Sequence, residues 1–434
     1  MHPLKITINA QLFYGGGSGG IEQFTICLTN ALGKLNDGSE EYTIIGPYIG
    51  YELLEPYVGP NQKIIPGAKP HCHRWEQSKR LLGPLRRPAG KFVRAIKKRN
   101  MNSSSKLSEA INKTDGFFDS LDSDIIHFPY QKYYNCNVPT IYNPHDLQHL
   151  HYPEFFGQEE ISWREKAYPH ACHNARAIAV SSDWVKDDII KQYKIDPEKI
   201  YVIYPGVPTE LYKPINQTNI HKIRNKFNLP ENFVLYPAQT WPHKNHIRLL
   251  EAIKLLHDKN NLNINLVCTG KKNDFWPVIE KRIRELNIGK HVQFTDFIND
   301  TEIRALYHLA QFVILPSLFE GGGFPVLEAF RENTPVTCSN TTSLGEYGKD
   351  AALLFNPKSV EDISRAIFQM TKEPELRTKL SQQGNNRIRM FDWEQVAKAY
   401  RALYRKTAGR KLSDEDKQLL NHKKEEVDES SYSK

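Results

Sequence analysis

Short apolar runs alternate along this chain with segments of helical spacing, separated by polar or glycine-rich turns. KITINA (Lys5 to Ala10) has a strand pattern. GGGSGG (Gly15 to Gly20) follows, and then a stretch with Ile21, Phe24, Leu28, Ala31, Leu32 and Leu35 on one helical face. YTIIG (Tyr42 to Gly46) completes a βαβ beginning. Further strands are predicted at DIIHF (Asp124 to Phe128), TIYN (Thr140 to Asn143), AIAVS (Ala177 to Ser181) and YVIYP (Tyr201 to Pro205), closing a first parallel sheet. A second alternation runs through FVLYPA (Phe233 to Ala238), INLVCTG, VQFTDF, FVILP, PVTCS and AALLF. The pattern predicts an α/β chain with a Rossmann-like domain over 1–208, a polar, lysine-rich linker over 209–230 and a second Rossmann-like domain over 231–390. Asp392, with Gln395 three residues on, reads as the cap of a helix over 391–406. The charged tail 407–434 is expected to lack order.

Composition supports this division. A length of 434 residues accommodates two domains, each with its own core. Hydrophobic residues make up 39% and the mean hydropathy is -0.57, and no apolar run reaches the length of a transmembrane helix. The chain enters KITINA almost at once, which suits a first strand better than the apolar core of a secretion signal. Cys27, Cys72, Cys136, Cys172, Cys268 and Cys338 form no CxxC pair, as expected of reduced thiols in a cytoplasmic protein. His71-Cys72-His73 has no further clustered ligands and is not read as a zinc site.

Charge is concentrated in one insertion. Lys69 to Lys106 holds twelve lysines and arginines against a single acid, Glu76, so the rest of the chain is slightly acidic although the whole carries +8. Pro84 and Pro88 interrupt the stretch, and Ala89 to Asn100 has Phe92, Val93 and Ile96 among Lys91, Arg94, Lys97 and Lys98. Such a basic amphipathic segment suits an anionic membrane surface. A solvated loop and a site for an acidic polymer are the other readings, and nucleic acid is not the expected partner.

The most informative segment is PSLFEGGGFPVLEAF (Pro316 to Phe330). A β-branched run precedes it, Gly321, Gly322 and Gly323 fill the turn, and Phe324 and Pro325 open a helical pattern. A strand-to-helix turn of this kind directs backbone N–H groups and a positive helix end at one spot, which suits a phosphate or sugar hydroxyls. Glu320 stands at its mouth, and Glu328 lies about two helical turns further on. Each carboxylate can accept hydrogen bonds from adjacent hydroxyls.

This arrangement resembles the retaining glycosyltransferases of the GT-B fold, in particular family 4, whose two Rossmann-like domains face each other across a cleft with the last helix crossing back to the first domain. Three further stretches carry the resemblance. In NPHDLQHLHYPEFF (Asn143 to Phe156), His145-Asp146 matches the family's active-site pair, whose histidine reaches the transferred sugar; His149 and His151 are read as packing or surface residues. In YPAQTWPHKNHIRLLEAI (Tyr236 to Ile253), Lys244 matches the lysine that neutralises the donor diphosphate. TDFINDTEIRALYHLA (Thr295 to Ala310) matches the segment whose strand end, near Phe297, borders the nucleotide base. Phe324 joins the glycines as a donor-site residue, and Gly16 and Gly17 match a loop that approaches the donor phosphate and acceptor.

The resemblance implies transfer of a hexose from a nucleotide diphosphate sugar to a saccharide or lipid-linked acceptor, with no cofactor and no metal. Glu320 holds the sugar, Glu328 the ribose and Lys244 the phosphates. The wording of PAQTWPHKNH and PHDLQHLHYPEFF is nearest to bacterial mannosyltransferases of O-antigen and capsule assembly, which points to GDP-mannose. Two positions depart from the pattern. Ala238 stands where many relatives carry an arginine, leaving His243, Arg248 or the Gly321 to Gly323 amides to meet the second phosphate charge, and Gly322 stands where an aromatic residue is common.

Rival readings fit less of the sequence. Gly15, Gly17 and Gly20 spell GxGxxG, but the second strand ends in Gly46-Pro47 without the acid that a nicotinamide enzyme needs. Asp122-Ser123-Asp124 spells a metal-binding DxD, but it immediately precedes a strand and is read as incidental. A non-catalytic carbohydrate- or nucleic-acid-binding protein has no use for Glu320, Glu328, His145 and Lys244 together. A UDP-sugar transferase or an epimerase on this fold is the remaining alternative.

Overall fold

Thirteen strands form two sheets among the described residues, which in this computed structural model are 2–12, 19–68, 116–208, 212 and 214–421. The expectations for Gly15, Gly16 and Gly17, for the basic insertion Lys69 to Lys106 and for the end of the tail lie outside them. The first sheet has the order β3-β2-β1-β4-β5-β6-β7, built from Leu4–Asn9 (β1), Glu40–Gly46 (β2), Gln62–Pro66 (β3), Ile125–Phe128 (β4), Thr140–Tyr142 (β5), Ala177–Val180 (β6) and Ile200–Val202 (β7). The second has the order β10-β9-β8-β11-β12-β13, built from Val234–Pro237 (β8), Leu266–Thr269 (β9), Val292–Phe294 (β10), Phe312–Leu315 (β11), Val336–Ser339 (β12) and Ala352–Phe355 (β13). β1 pairs in parallel with β2 and β4, and β8 with β9 and β11. In each sheet the order reverses beside the first strand, as in doubly wound α/β folds.

The strands are apolar along their length because helices cover both faces of a parallel sheet. Helix α1 (Gly20–Lys34) buries Phe24, Leu28, Ala31 and Leu32, four of the six positions of the predicted face, while Ile21 and Leu35 are half-buried. The second sheet has a core of its own, from Val234, Leu235 and Tyr236 through Val313 and Ile314 to Val326, Leu327 and Phe330.

By its contacts the chain divides into two units. One comprises Met1–Pro144, Gly157–Ala179 and Arg401–Asp416; the other comprises His145–Phe156, Val180–Tyr400 and Lys417–Lys434. The pattern sets the first domain at 1–208 and a linker at 209–230, whereas this grouping by contacts takes His145–Phe156 and Val180–Tyr400 into the second unit.

Three stretches depart from expectation. QKIIP at β3 is a strand without a strand pattern: it offers two apolar residues, is at most half-buried, and lies at a sheet edge where a terminal proline costs no ladder bond. The polar stretch read as a linker contains helix α2 (Gln217–Phe227), which buries Ile220 and Ile223 and is capped by Asn216. Charge masked an apolar face of only three positions, Ile220, Ile223 and Phe227. Within the tail expected to lack order, Asp414–Leu420 is helical. Ser413 and Asp416 cap one another there, at 3.0 Å in each direction, and Asp416 also accepts from Arg405 at 3.1 Å.

The predicted cap of the last long helix (Trp393–Thr407) is present: the Gln395 N–H donates to Asp392 at 3.0 Å. The unit division falls inside this helix, between Tyr400 and Arg401. In the first unit its Arg401 pairs with Asp37 and its Arg405 with Glu40. Asp122 and Asp124, the formal DxD, both bind Lys5 at the start of β1, Asp122 through the ammonium and Asp124 through the backbone N–H at 2.9 Å. Among the described residues no helix is long and apolar enough to cross a membrane.

Candidate active site

The loops that leave β8 and β11 carry the charged residues of the site. These strands are neighbours, and the order reverses between them, where open α/β sheets leave a crevice at their carboxyl ends. Lys244 ends a short 3-10 turn, Pro242–Lys244, and Asn245 follows in the left-handed region at φ 61°. That conformation lets the Asn245 amide donate to the carbonyls of Pro316, at 2.9 Å, and Pro357, at 2.8 Å. The Leu318 N–H donates to the His243 carbonyl at 2.8 Å, and the Tyr236 hydroxyl donates to the Lys244 carbonyl. The two loops are thus stitched together, and the Lys244 ammonium meets Glu320 at 2.5 Å, each side chain about one-fifth exposed (18% and 19%).

This pairing sets the charge of the site. Burial works to raise the Glu320 carboxyl, but the Lys244 ammonium, with a Ser317 hydrogen bond, more than offsets it and holds the group below the usual value, so Glu320 is ionised at neutral pH. Burial, reinforced by Lys244, pushes the His243 imidazole down to about 4, so it is neutral and supplies no second cation. Arg248, in the first turn of α3 (His246–Asn260), donates to the Asn245 side chain at 3.1 Å. Ala238 is buried, and a Cβ on Gly270, whose φ is +103°, would come within 2.7 Å of its carbonyl carbon.

The glycine turn is crowded at two of its three positions. A Cβ on Gly321 would lie 2.6 Å from the His145 carbonyl oxygen and 2.8 Å from the Asp146 Cβ; one on Gly323 would lie 2.5 Å from the Tyr347 ring. At Gly322 the nearest atom, the Ser181 hydroxyl, is 3.9 Å away, which agrees with an open place for a larger side chain. Neighbouring side chains hold the turn. The Ser181 hydroxyl donates to the Gly321 carbonyl at 2.6 Å, the Ser343 hydroxyl to the Glu320 carbonyl at 2.7 Å, and the Glu320 N–H to the Thr342 hydroxyl at 3.1 Å. Among the described residues no protein acceptor is bonded to the N–H groups of Gly321, Gly322 and Gly323, which lead into helix α5 (Phe324–Arg331). An anion or a hydroxyl oxygen can take them.

Glu328 is buried on α5, and its carboxylate accepts from two tyrosines, Tyr307 at 2.6 Å and Tyr212 at 3.3 Å. Tyr307 belongs to α4 (Asp300–Leu309). Burial pushes the Glu328 carboxyl up to about 7 against the pull of both hydroxyls.

Of the other expected residues, His145 reaches the turn through its backbone, held in the left-handed region at φ 64°. A non-glycine residue in that conformation is uncommon and costs energy, a pattern concentrated at functional sites. Asp146 accepts from the Gln148 N–H at 3.0 Å, and so caps the turn that presents His145. Phe324 begins α5 and packs half-buried against the second core, whereas Phe297 stands 65% exposed beyond β10. His149 is buried, and His151 bonds Asp188 at 2.8 Å, as packing residues do. The structure therefore brings Lys244, Glu320, Gly321 to Gly323 and the His145 backbone together. Asn245, Thr342 and Ser343 join them without any motif to single them out, and Tyr307 and Tyr212 gather in the same way around Glu328.

Comparison with known proteins agrees with this geometry. Residues 217–387 match the family described as Glycosyl transferases group 1, and residues 19–211 match Glycosyltransferase Family 4. The chain is 27% identical to the O-antigen chain mannosyltransferase B of Escherichia coli over 60% of its own length and 69% of the relative's. It is 28% identical to the O-antigen chain mannosyltransferase RfbU of Salmonella typhimurium, over 58% and 65% of the two lengths. The matches thus span about two thirds of these relatives. Among solved structures, Anabaena HepE in complex with UDP and glucose superposes with a TM-score of 0.66 at 18% identity, covering 92% of this chain and 99% of that one. Both sheets, the glycine turn and the two family matches, which between them take in most of the chain, lead to one conclusion: this chain belongs to the family 4, group 1 glycosyltransferases of the GT-B fold.

Proposed function

We propose that the chain transfers mannose from GDP-mannose to a hydroxyl of a saccharide acceptor carried on a lipid, with retention of the anomeric configuration. The observation that carries the reading is the Lys244–Glu320 pair set against the glycine turn, at 2.5 Å between an ammonium and an ionised carboxylate. The donor's diphosphate takes the Lys244 ammonium and the free N–H groups, and its sugar hydroxyls take Glu320. Glu328 holds the ribose, and His145 faces the far edge of the sugar. The C1–oxygen bond to the diphosphate breaks, the acceptor oxygen bonds C1 on the same face, and the acceptor's proton passes to the departing phosphate oxygen. Neither a protein nucleophile nor a metal is required for those steps.

Mannose as the sugar is supported by the two O-antigen mannosyltransferases among the relatives. A lipid-linked acceptor agrees with the basic composition of Lys69 to Lys106, which suits peripheral contact with the anionic inner face of a membrane from the cytoplasm. The test is release of GDP from GDP-mannose in the presence of EDTA and a lipid-linked saccharide, with the product's anomeric proton read by NMR. An α-linked mannoside supports the reading. An inverted product, or turnover of UDP-glucose alone, refutes it.

A further inference from the structure

Two buried carboxylates lie one turn apart at the end of α5 and are partnered differently by α4. Glu332 receives Arg304 at 2.7 Å and His308 at 2.7 Å, and its carboxyl stays below the usual value because those partners outweigh its burial. Among the described residues Glu328 receives no cation; its Oε2 accepts from the Tyr307 hydroxyl at 2.6 Å and its Oε1 from the Tyr212 hydroxyl at 3.3 Å. Arg304, Tyr307 and His308 share one face of α4, so a single helix gives Glu332 its cations and Glu328 a hydroxyl.

A carboxylate offers about four lone-pair sites. With one on each oxygen occupied by a tyrosine, one on each remains. We propose that Tyr307 is a positioning residue for the transfer: its hydroxyl fixes the orientation of the Glu328 carboxylate and favours its ionised form, so that the remaining lone pairs accept the two vicinal hydroxyls of the donor's ribose. This rests on the assignment of Glu328 to the ribose.

The surroundings make that help necessary. Burial is the largest influence on Glu328 and raises its carboxyl, and the negative charges of Asp300 on α4 and Glu332 beyond α5 raise it further. Tyr307 is the strongest influence in the other direction, and Tyr212 is second. A protonated carboxyl surrenders one acceptor site to its own proton and can no longer take both hydroxyls.

Tyr307→Phe keeps the ring and removes only the hydroxyl. GDP affinity is measured calorimetrically for the wild type and this variant from pH 6.5 to 9, and the ratio of the two cancels the nucleotide's own titration. For a shift of about one pKa unit the expected ratio is a roughly fivefold loss at pH 7, larger at pH 6.5 and shrinking to less than about twofold at pH 9. A loss equal at every pH means a merely structural role and overturns the proposal, as does no loss at all. The pH dependence of unfolding without nucleotide separates the two assumptions. If Tyr307→Phe moves the Glu328 titration upward there but leaves GDP affinity unchanged at every pH, the ribose assignment is wrong and the proposal falls with it. If the titration does not move, Tyr307 does not govern Glu328.

Discussion

Glu328→Gln trades binding against stability, and the sign of the trade depends on pH. In the folded protein the Glu328 carboxyl is raised from an ordinary 4.5 to about 7. The folded state therefore holds this proton more tightly than the unfolded state between those values. Stability from this group is fully present below the ordinary value, declines as pH rises through the window, and is at its lowest above about 7. At about 1.4 kcal/mol per pKa unit, ionised Glu328 costs the ligand-free fold roughly 3 kcal/mol at pH 8. A glutamine of the same shape removes that cost, while its amide nitrogen no longer accepts a tyrosine hydroxyl, which returns about 1 kcal/mol. Glu328→Gln is thus expected to be about 2 kcal/mol more stable than the wild type at pH 8, and equal or less stable at pH 5. Denaturant unfolding of the ligand-free protein at both pH values reads the difference. The same variant loses GDP affinity by roughly ten- to a hundredfold, the scale of a charged hydrogen bond at about 1.5 to 3 kcal/mol. A stability difference that is the same at both pH values would refute the reasoning, because Glu328 would then titrate as an ordinary carboxyl.

Other residues of the site give sharper or simpler outcomes. Gly321→Ala places a Cβ 2.6 Å from the His145 carbonyl oxygen and is expected to destabilise by about 1–3 kcal/mol and to abolish transfer, whereas Gly322→Ala, with its nearest atom 3.9 Å away, keeps both; thermal melts and a transfer assay compare the two. Lys244→Gln removes the cation of the 2.5 Å pair and is expected to lower kcat/KM for the donor at least a hundredfold, measured as GDP release from GDP-mannose. His243→Gln leaves the pH–rate profile unchanged between about pH 5.5 and 8, since the imidazole is already neutral above about 4.

The parts of the site that depend on short contiguous signals were legible in the sequence. The run from Gln311 to Pro316, three glycines and Pro325 describe a strand, a turn and a helix, and those became β11, the turn and α5. Lys244 and Glu320 were separately recognisable, but their pairing was not, because it depends on Asn245 and Leu318 tying two loops that lie more than seventy residues apart. Tyr307 gave no signal: an inward tyrosine on an amphipathic helix looks like core, and only the register of α4 against α5 makes its hydroxyl a partner of Glu328. Composition misled twice, at α2 and at Asp414–Leu420, where a few apolar or capping residues outweigh a surplus of charge. Edge strand β3 was missed for the opposite reason, since an edge needs little burial to persist.

The central claim is that the Lys244, Glu320 and Glu328 constellation binds a guanine nucleotide diphosphate sugar, and calorimetric titration of the purified protein with GDP, UDP and NAD in EDTA tests it most directly. The account predicts GDP binding at least about tenfold tighter than UDP, weakened ten- to a hundredfold in Glu328→Ala, with no heat from NAD. Binding of NAD alone, or GDP binding that Glu328→Ala leaves untouched, would contradict it.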